Sequence, residues 1–141
     1  MLRPEALQAL RGSEHIIHAG DIGAPEILDT LANIAPVTAI RGNVDTAAWA
    51  RKLPETEVVE LAGISIYVLH DLAGLDLKPE AAGIRIVISG HSHVPKQETK
   101  QGVLYLNPGS AGPRRFKLPV SLARVTISGG EIGAEILELS V

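Results

Sequence analysis

Apolar residues recur along this chain with two different periods, and the changes of period mark out its elements. Leu2, Ala6, Leu7 and Leu10 fall at helical spacing and predict a helix over Arg3 to Leu10, closed by Gly12. His15-Ile16-Ile17-His18 reads as a short buried strand stopped at Gly20. From Ala24 to Ile34 the helical period returns, with Pro25 in the first turn and Ile27, Leu28, Leu31 and Ile34 on one face. Val37 to Ile40 is a second strand, running into Arg41-Gly42-Asn43. Strand, helix, strand in this order is the pattern of a parallel βαβ unit.

Beyond this point the period is mostly two. Glu57 to Leu61 and Ile64 to Leu69 alternate around Ala62-Gly63 and predict a hairpin. Ile84 to Ile88 is a buried strand leading into Gly90-His91-Ser92-His93. Lys96 to Lys100 and Val103 to Leu106 flank a turn at Gln101-Gly102, and Asn107-Pro108-Gly109-Ser110 follows. Leu122 to Ile127 and Glu131 to Leu139 form a last pair around Gly129-Gly130. An α/β half thus runs into a β-rich half, most simply as two packed sheets with helices outside.

The chemistry sits where the strands end. The four strands His15 to His18, Val37 to Ile40, Ile64 to Leu69 and Ile84 to Ile88 run into Gly20-Asp21, Gly42-Asn43, His70-Asp71 and Gly90-His91-Ser92-His93. Ligands of open α/β sheets bind at the carboxyl ends of strands, so these residues are candidates for one convergent site. Carboxylate, amide oxygen and imidazole together suit manganese, iron, zinc, nickel or cobalt. Taken singly, Gly-Asp and Gly-Asn are also ordinary turn chemistry, and a lone strand-end histidine is also an ordinary structural residue. His18 is expected to orient Asp21, and His15 to be surface or core filler.

Composition narrows the function. With 141 residues, 45% of them hydrophobic, the chain suffices for a single domain over 1–141. Sixteen acidic against thirteen basic residues give a net charge of −3, which argues against tight non-specific binding to nucleic acid. The aromatic content of 3% argues against base stacking. The absence of cysteine excludes disulfides, thiolate metal sites and a thiol nucleophile. The first residues show no secretion signal and no apolar run is long enough to span a bilayer, so a cytoplasmic location, away from membranes, is expected.

With these motifs in order, the sequence resembles the calcineurin-like metallophosphoesterases. It is most similar to their short bacterial and archaeal phosphodiesterase branch, which also includes the retromer scaffold subunit. The matching segments are His18-Ala19-Gly20-Asp21, Val37 through Asp45, Val68-Leu69-His70-Asp71, Gly90-His91-Ser92-His93 and Leu106 through Ser110. The resemblance implies a four-layer α-β-β-α sandwich and a metal-dependent phosphoesterase. Its substrates would be small phosphodiesters, and monoesters as well. It implies that Asp21 bridges two metals, that Asn43, His70 and His91 complete one site, and that His93 belongs to the other. Asn43 would also touch a phosphate oxygen, and Asn43 and His91 would be catalytic. A water between the ions would attack phosphorus in line. Arg114, beyond the Asn-Pro-Gly-Ser turn, is a candidate phosphate contact. The alternative the resemblance permits is a non-catalytic interaction scaffold on the same fold.

Two departures from the family pattern bear on these expectations. Members open with a strand ending in Asp-x-His, a motif that occurs nowhere in this sequence. Either the start has been assigned about one strand too late, or one metal site has been lost. In both cases this chain is expected to hold at most one metal, with low activity. The sheet edge left open would be covered by a second copy of the chain, giving a homo-oligomer, or by a displaced first helix. The second departure is Val44, which stands where many family phosphatases carry a histidine proposed as general acid.

Overall fold

The computed structural model describes residues 3–43, 45–111 and 120–139. Helix α1 (Pro4–Leu10) leads through a turn to strand β1 (Ile16–His18), then α2 (Pro25–Ala32) and β2 (Val37–Ala39). Strand β1 pairs with β2 in parallel, Ile17 opposite Thr38, so the expected βαβ unit is present. Ala24 is extended at φ −152°, as the residue before a proline must be, and Pro25 opens the helix. The helix stops at Ala32, two residues before the predicted end. Beyond it the chain continues as a turn, Ile34 and Ala35 both donating to the Leu31 carbonyl, before Pro36 leads into β2.

The second half supplies a five-stranded sheet and a separate hairpin. Strands β3 (Thr56–Leu61), β4 (Ile64–Leu69), β5 (Ile84–Ile88), β6 (Lys96–Lys100) and β7 (Val103–Asn107) lie in the order β3-β4-β5-β7-β6. The three central strands are mutually parallel, and the two edges are antiparallel. Strands β8 (Ser121–Ser128) and β9 (Glu131–Glu138) pair only with each other among the described residues. All three hairpins turn on two residues of positive φ: Ala62-Gly63, Gln101-Gly102 and Gly129-Gly130. This is the type I′ turn, whose twist matches the strands it joins.

Burial explains the layering. On β4, Ile64, Ile66 and Val68 point to one side and join Ile86, Ile88, Leu106 and Ile40 in the main core. Residues Ile17 and Ala19 from the β1 side, and Val125, Ile132 and Ile136 from β8–β9, pack against that core from across it. The other face of the sheet buries Tyr67, Leu69, Val87 and Val103 beneath Leu75 and Leu77 of the loop after β4. Strands buried on both faces read as apolar runs, as Ile66 to Leu69 of β4 and Ile86 to Ile88 of β5 do. On the outside of β1–β2, Leu31 of α2 packs with Ile16 and Ala35, and Leu7 and Leu10 of α1 close over them. The order of layers is helices, small strand pairs, five-stranded sheet, and a loop with one 3-10 turn. Arg124 on β8 donates to the carbonyl of Ala9 at 2.9 Å, which ties the first helix to the C-terminal hairpin.

Candidate metal centre

The carboxyl ends of β1, β2, β4 and β5 meet at one place. His70 follows β4 directly, and its Nδ1–H donates to the carbonyl of Ala19, after β1, at 2.8 Å. This bond crosses from one layer to the other and fixes the ring. With Nδ1 carrying the hydrogen, Nε2 presents its lone pair in the opposite direction, the usual orientation of a metal-binding histidine. Nε2 faces Asp21 Oδ2 at 3.1 Å and His91 Nδ1 at 3.3 Å. The Asn43 amide stands 3.4 Å from that same His91 nitrogen. The His70 and His91 rings meet edge to face, 5.1 Å apart.

Asp21, Asn43, His70 and His91 are therefore brought together. His93 is half-buried in the same loop as His91, two residues on. Arg114 and Val44 lie outside the described residues. The contacts run as a chain from Asp21 through His70 and His91 to Asn43. Among the described residues, no three His, Asp or Glu side chains close into a finished metal cage. The donor set nevertheless fits a divalent ion. Ligands about 2.1 Å from one ion stand roughly 3.0–3.4 Å apart, depending on its geometry. The His70 lone pair and the Asp21 carboxylate are also both electron-rich, so a cation or a proton must lie between them.

The backbone here is held in conformations that ordinary residues avoid. Asp21, His91 and His93 have φ of 57°, 69° and 62°. The other two non-glycine residues with positive φ among those described are the hairpin residues Ala62 and Gln101. Such strain is found where the surrounding structure over-determines it. Two glycines permit the crowding. A Cβ on Gly20 would lie 2.6 Å from His70 Nδ1, and one on Gly42 would run into the amide and carboxylate of Asp21.

The loops are pinned by residues whose roles the sequence left unassigned. Asp45 is 4% exposed, and its carboxylate accepts the amides of Gly42, Ile22 and Gly23 at 2.9, 3.0 and 3.1 Å. It thereby staples the loop bearing Asp21 to the loop bearing Asn43. Burial pushes the Asp45 carboxyl up, but the amides of Gly42, Gly23, Ile22 and Asp21 together outweigh it and hold its pKa below the usual range. Asn107 does similar work for His91: its amide donates to Gly90 O at 2.9 Å and to Ser92 Oγ at 3.2 Å, while its carbonyl accepts Gly109 N–H. Asp71 lies 3.8 Å from His91 Nε2.

His18 braces the approach to Asp21 through the backbone, its Nδ1 accepting the Gly20 amide at 3.2 Å. Burial, the largest influence, holds its pKa below the ordinary histidine value, against the pull of Asp45 and Asp21. His15 is more than filler, since its Nε2 hydrogen-bonds Thr38 Oγ1 across β1–β2 at 2.7 Å.

Acid, amide and imidazole donors thus gather at the strand ends of a layered α/β fold, and the family of the chain follows from its relatives. The chain belongs to the calcineurin-like phosphoesterase superfamily, whose domain matches residues 1–130. It is 39% identical over 103 residues to a probable metallophosphoesterase of Methanocaldococcus jannaschii, covering 67% of this chain and 52% of that protein. The chain thus spans about half the length of that relative. It is 32% identical over 142 residues to a probable metallophosphoesterase of Methanothermobacter thermautotrophicus, covering 95% of this chain and 81% of that one. Among solved structures it is similar to wild-type Vps29 of Entamoeba histolytica in complex with zinc, with a TM-score of 0.76 and 22% identity over 98% of this chain and 90% of that one. This likeness shows the shared fold. No helix among the described residues is long and apolar enough to cross a membrane.

Proposed function

We propose that this chain is a metal-dependent phosphoesterase acting on small phosphodiesters, and on monoesters as well. The observation that carries the reading is the orientation of His70, whose Nδ1–H is spent on Ala19 O while Nε2 faces the Asp21 carboxylate. Asp21, Asn43, His70 and His91 would hold a divalent ion of manganese, iron, zinc, nickel or cobalt, and His93 would serve a neighbouring position. An ion held by these residues would supply charge neutralisation for the phosphate ester and an activated water.

The protein's own residues then have defined tasks. Asn43 would donate from its amide to a phosphate oxygen, a reading supported by its exposure to solvent. His91 presents one nitrogen to His70 and the other toward Asp71, so its ring is held from both sides. Arg114, which follows the Asn107-Pro108-Gly109-Ser110 segment in the sequence, is proposed as a further phosphate contact. Hydrolysis of bis(4-nitrophenyl) phosphate with added manganese tests the reading. Turnover that requires the metal and is lost in His70→Ala supports it. Turnover indifferent to chelator contradicts it.

A further inference from the structure

A groove of about 460 Å³ is lined by His91 of the candidate centre and by the neighbouring Asp71. Its walls include Leu72, Leu75 and Val94. Leu72 and Val94 are 43% and 44% exposed, two of the three large apolar side chains so exposed among the described residues. Both stand in loops that leave the strand ends bearing the candidate ligands, so the apolar rim is continuous with the centre. Strand β6 contributes Lys96, Glu98 and Lys100, a row that leads outward from Lys96 opposite Asn107 to Lys100 opposite Val103. Residues two apart on a strand share a face, and both lysines reach Glu98, at 3.5 and 3.7 Å. One carboxylate between two ammonium groups leaves a net positive charge. Lys100 also lies 5.7 Å from the centre of the Tyr105 ring, which helps to hold it over the groove.

The geometry points to a subsite for the organic arm of the substrate: phosphoesters with an apolar arm that ends in an anionic group. This rests on the phosphoesterase reading and extends it to substrate class. A phosphoryl group at the centre would leave its arm along Leu72, Leu75 and Val94, whose burial rewards apolar surface. The lysine pair would meet an anion at its end. That contribution is weak and salt-sensitive, because the lysines are exposed.

Calorimetric titration of the manganese-loaded protein with non-hydrolysable phosphonates tests the inference independently of turnover. Phenylphosphonate is expected to bind about tenfold more tightly than methylphosphonate. 4-Carboxyphenylphosphonate is expected to bind about threefold more tightly again, an increment that disappears in 0.5 M salt, roughly where the screening length shrinks to a few ångströms. Val94→Asp should remove most of the phenyl preference, and Lys96→Ala with Lys100→Ala the carboxylate increment. Val58→Asp, equally solvent-facing but on β3, should keep both. A phenylphosphonate no tighter than methylphosphonate, or a preference that survives Val94→Asp, overturns the groove. If the phosphonates bind in the expected order but no diester is hydrolysed, the groove stands and the phosphoesterase reading falls.

Discussion

Asp45 accepts the backbone amide of Ile22 at 3.0 Å from a carboxylate that is almost wholly buried. Twenty-three residues separate the two, and the bond joins the loop after β1 to the loop after β2. Asp21 rides on the first loop and Asn43 on the second, so their relative position depends on a group that is itself proposed to touch neither substrate nor ion.

Asp45→Asn is therefore expected to damage the centre without unfolding the protein. An amide offers one acceptor oxygen where the carboxylate offers two, leaving buried N–H groups short of a partner at about 1–3 kcal/mol. Urea denaturation should show a loss of that size. Affinity for manganese should fall about 10–100-fold, the range for residues that orient ligands. Wild-type metal affinity in a destabilised variant would show that Asp45 matters to the fold alone.

Much of this site was legible in the sequence, and the reason is local. Period-two runs broken by Gly-Asp, Gly-Asn, His-Asp and Gly-His-Ser-His place donors at strand ends, whatever the order of the strands. The Ala62-Gly63, Gln101-Gly102 and Gly129-Gly130 turns were equally local. What was hidden depends on contacts far apart in sequence. That β5 lies between β4 and β7, and that His70 reaches across layers to Ala19, are products of packing. Asp45 was visible only as the last residue of the family-like segment Val37 through Asp45, with no role attached. A carboxylate three residues beyond Gly42 was the available local signal. The positive φ of Asp21, His91 and His93 left no mark, because side chains that strain a backbone are chosen for their chemistry.

Gly42→Ala tests the closeness of the two loops. The added Cβ would run into the amide and carboxylate of Asp21, so the loops must separate. A loss of about 1–3 kcal/mol is expected from overpacking, together with weakened manganese binding. Gly83→Ala is a suitable contrast, since its Cβ would meet nothing within 4 Å, although its φ of +76° still strains alanine. It should lose stability and keep its metal affinity. Equal metal affinity in both variants would argue against the contact.

Asn107→Ala should loosen the Gly90-His91-Ser92 turn, because the Gly90 carbonyl and the Gly109 amide both lose their partner. Stability is expected to fall by about 1–3 kcal/mol. Phosphodiester turnover should fall more than substrate binding does, since the variant displaces His91. An unchanged kcat would separate this turn from the reaction.

His18 gives the metal-free protein a specific pH dependence. Its folded pKa lies below the ordinary value because burial disfavours the charged ring, with Asp45, Asp21 and His70 as its charged or titratable neighbours. Below about pH 6.5 the unfolded chain takes up a proton that the folded ring refuses. The stability His18 contributes as a neutral group is thus complete above that pH and is lost as pH falls toward the folded pKa. Denaturation midpoints in chelator should decline between pH 7 and 5, and less steeply in His18→Gln. Identical slopes would contradict the burial argument.

The central claim is that Asp21, Asn43, His70 and His91 together hold a divalent ion, and calorimetric titration of chelator-treated protein with manganese tests it most directly. The expected result is saturable binding that is abolished in His70→Ala and in Asp21→Ala, while both variants keep the wild-type circular dichroism spectrum. Manganese binding that is equally tight in the wild type and in both variants would contradict the account.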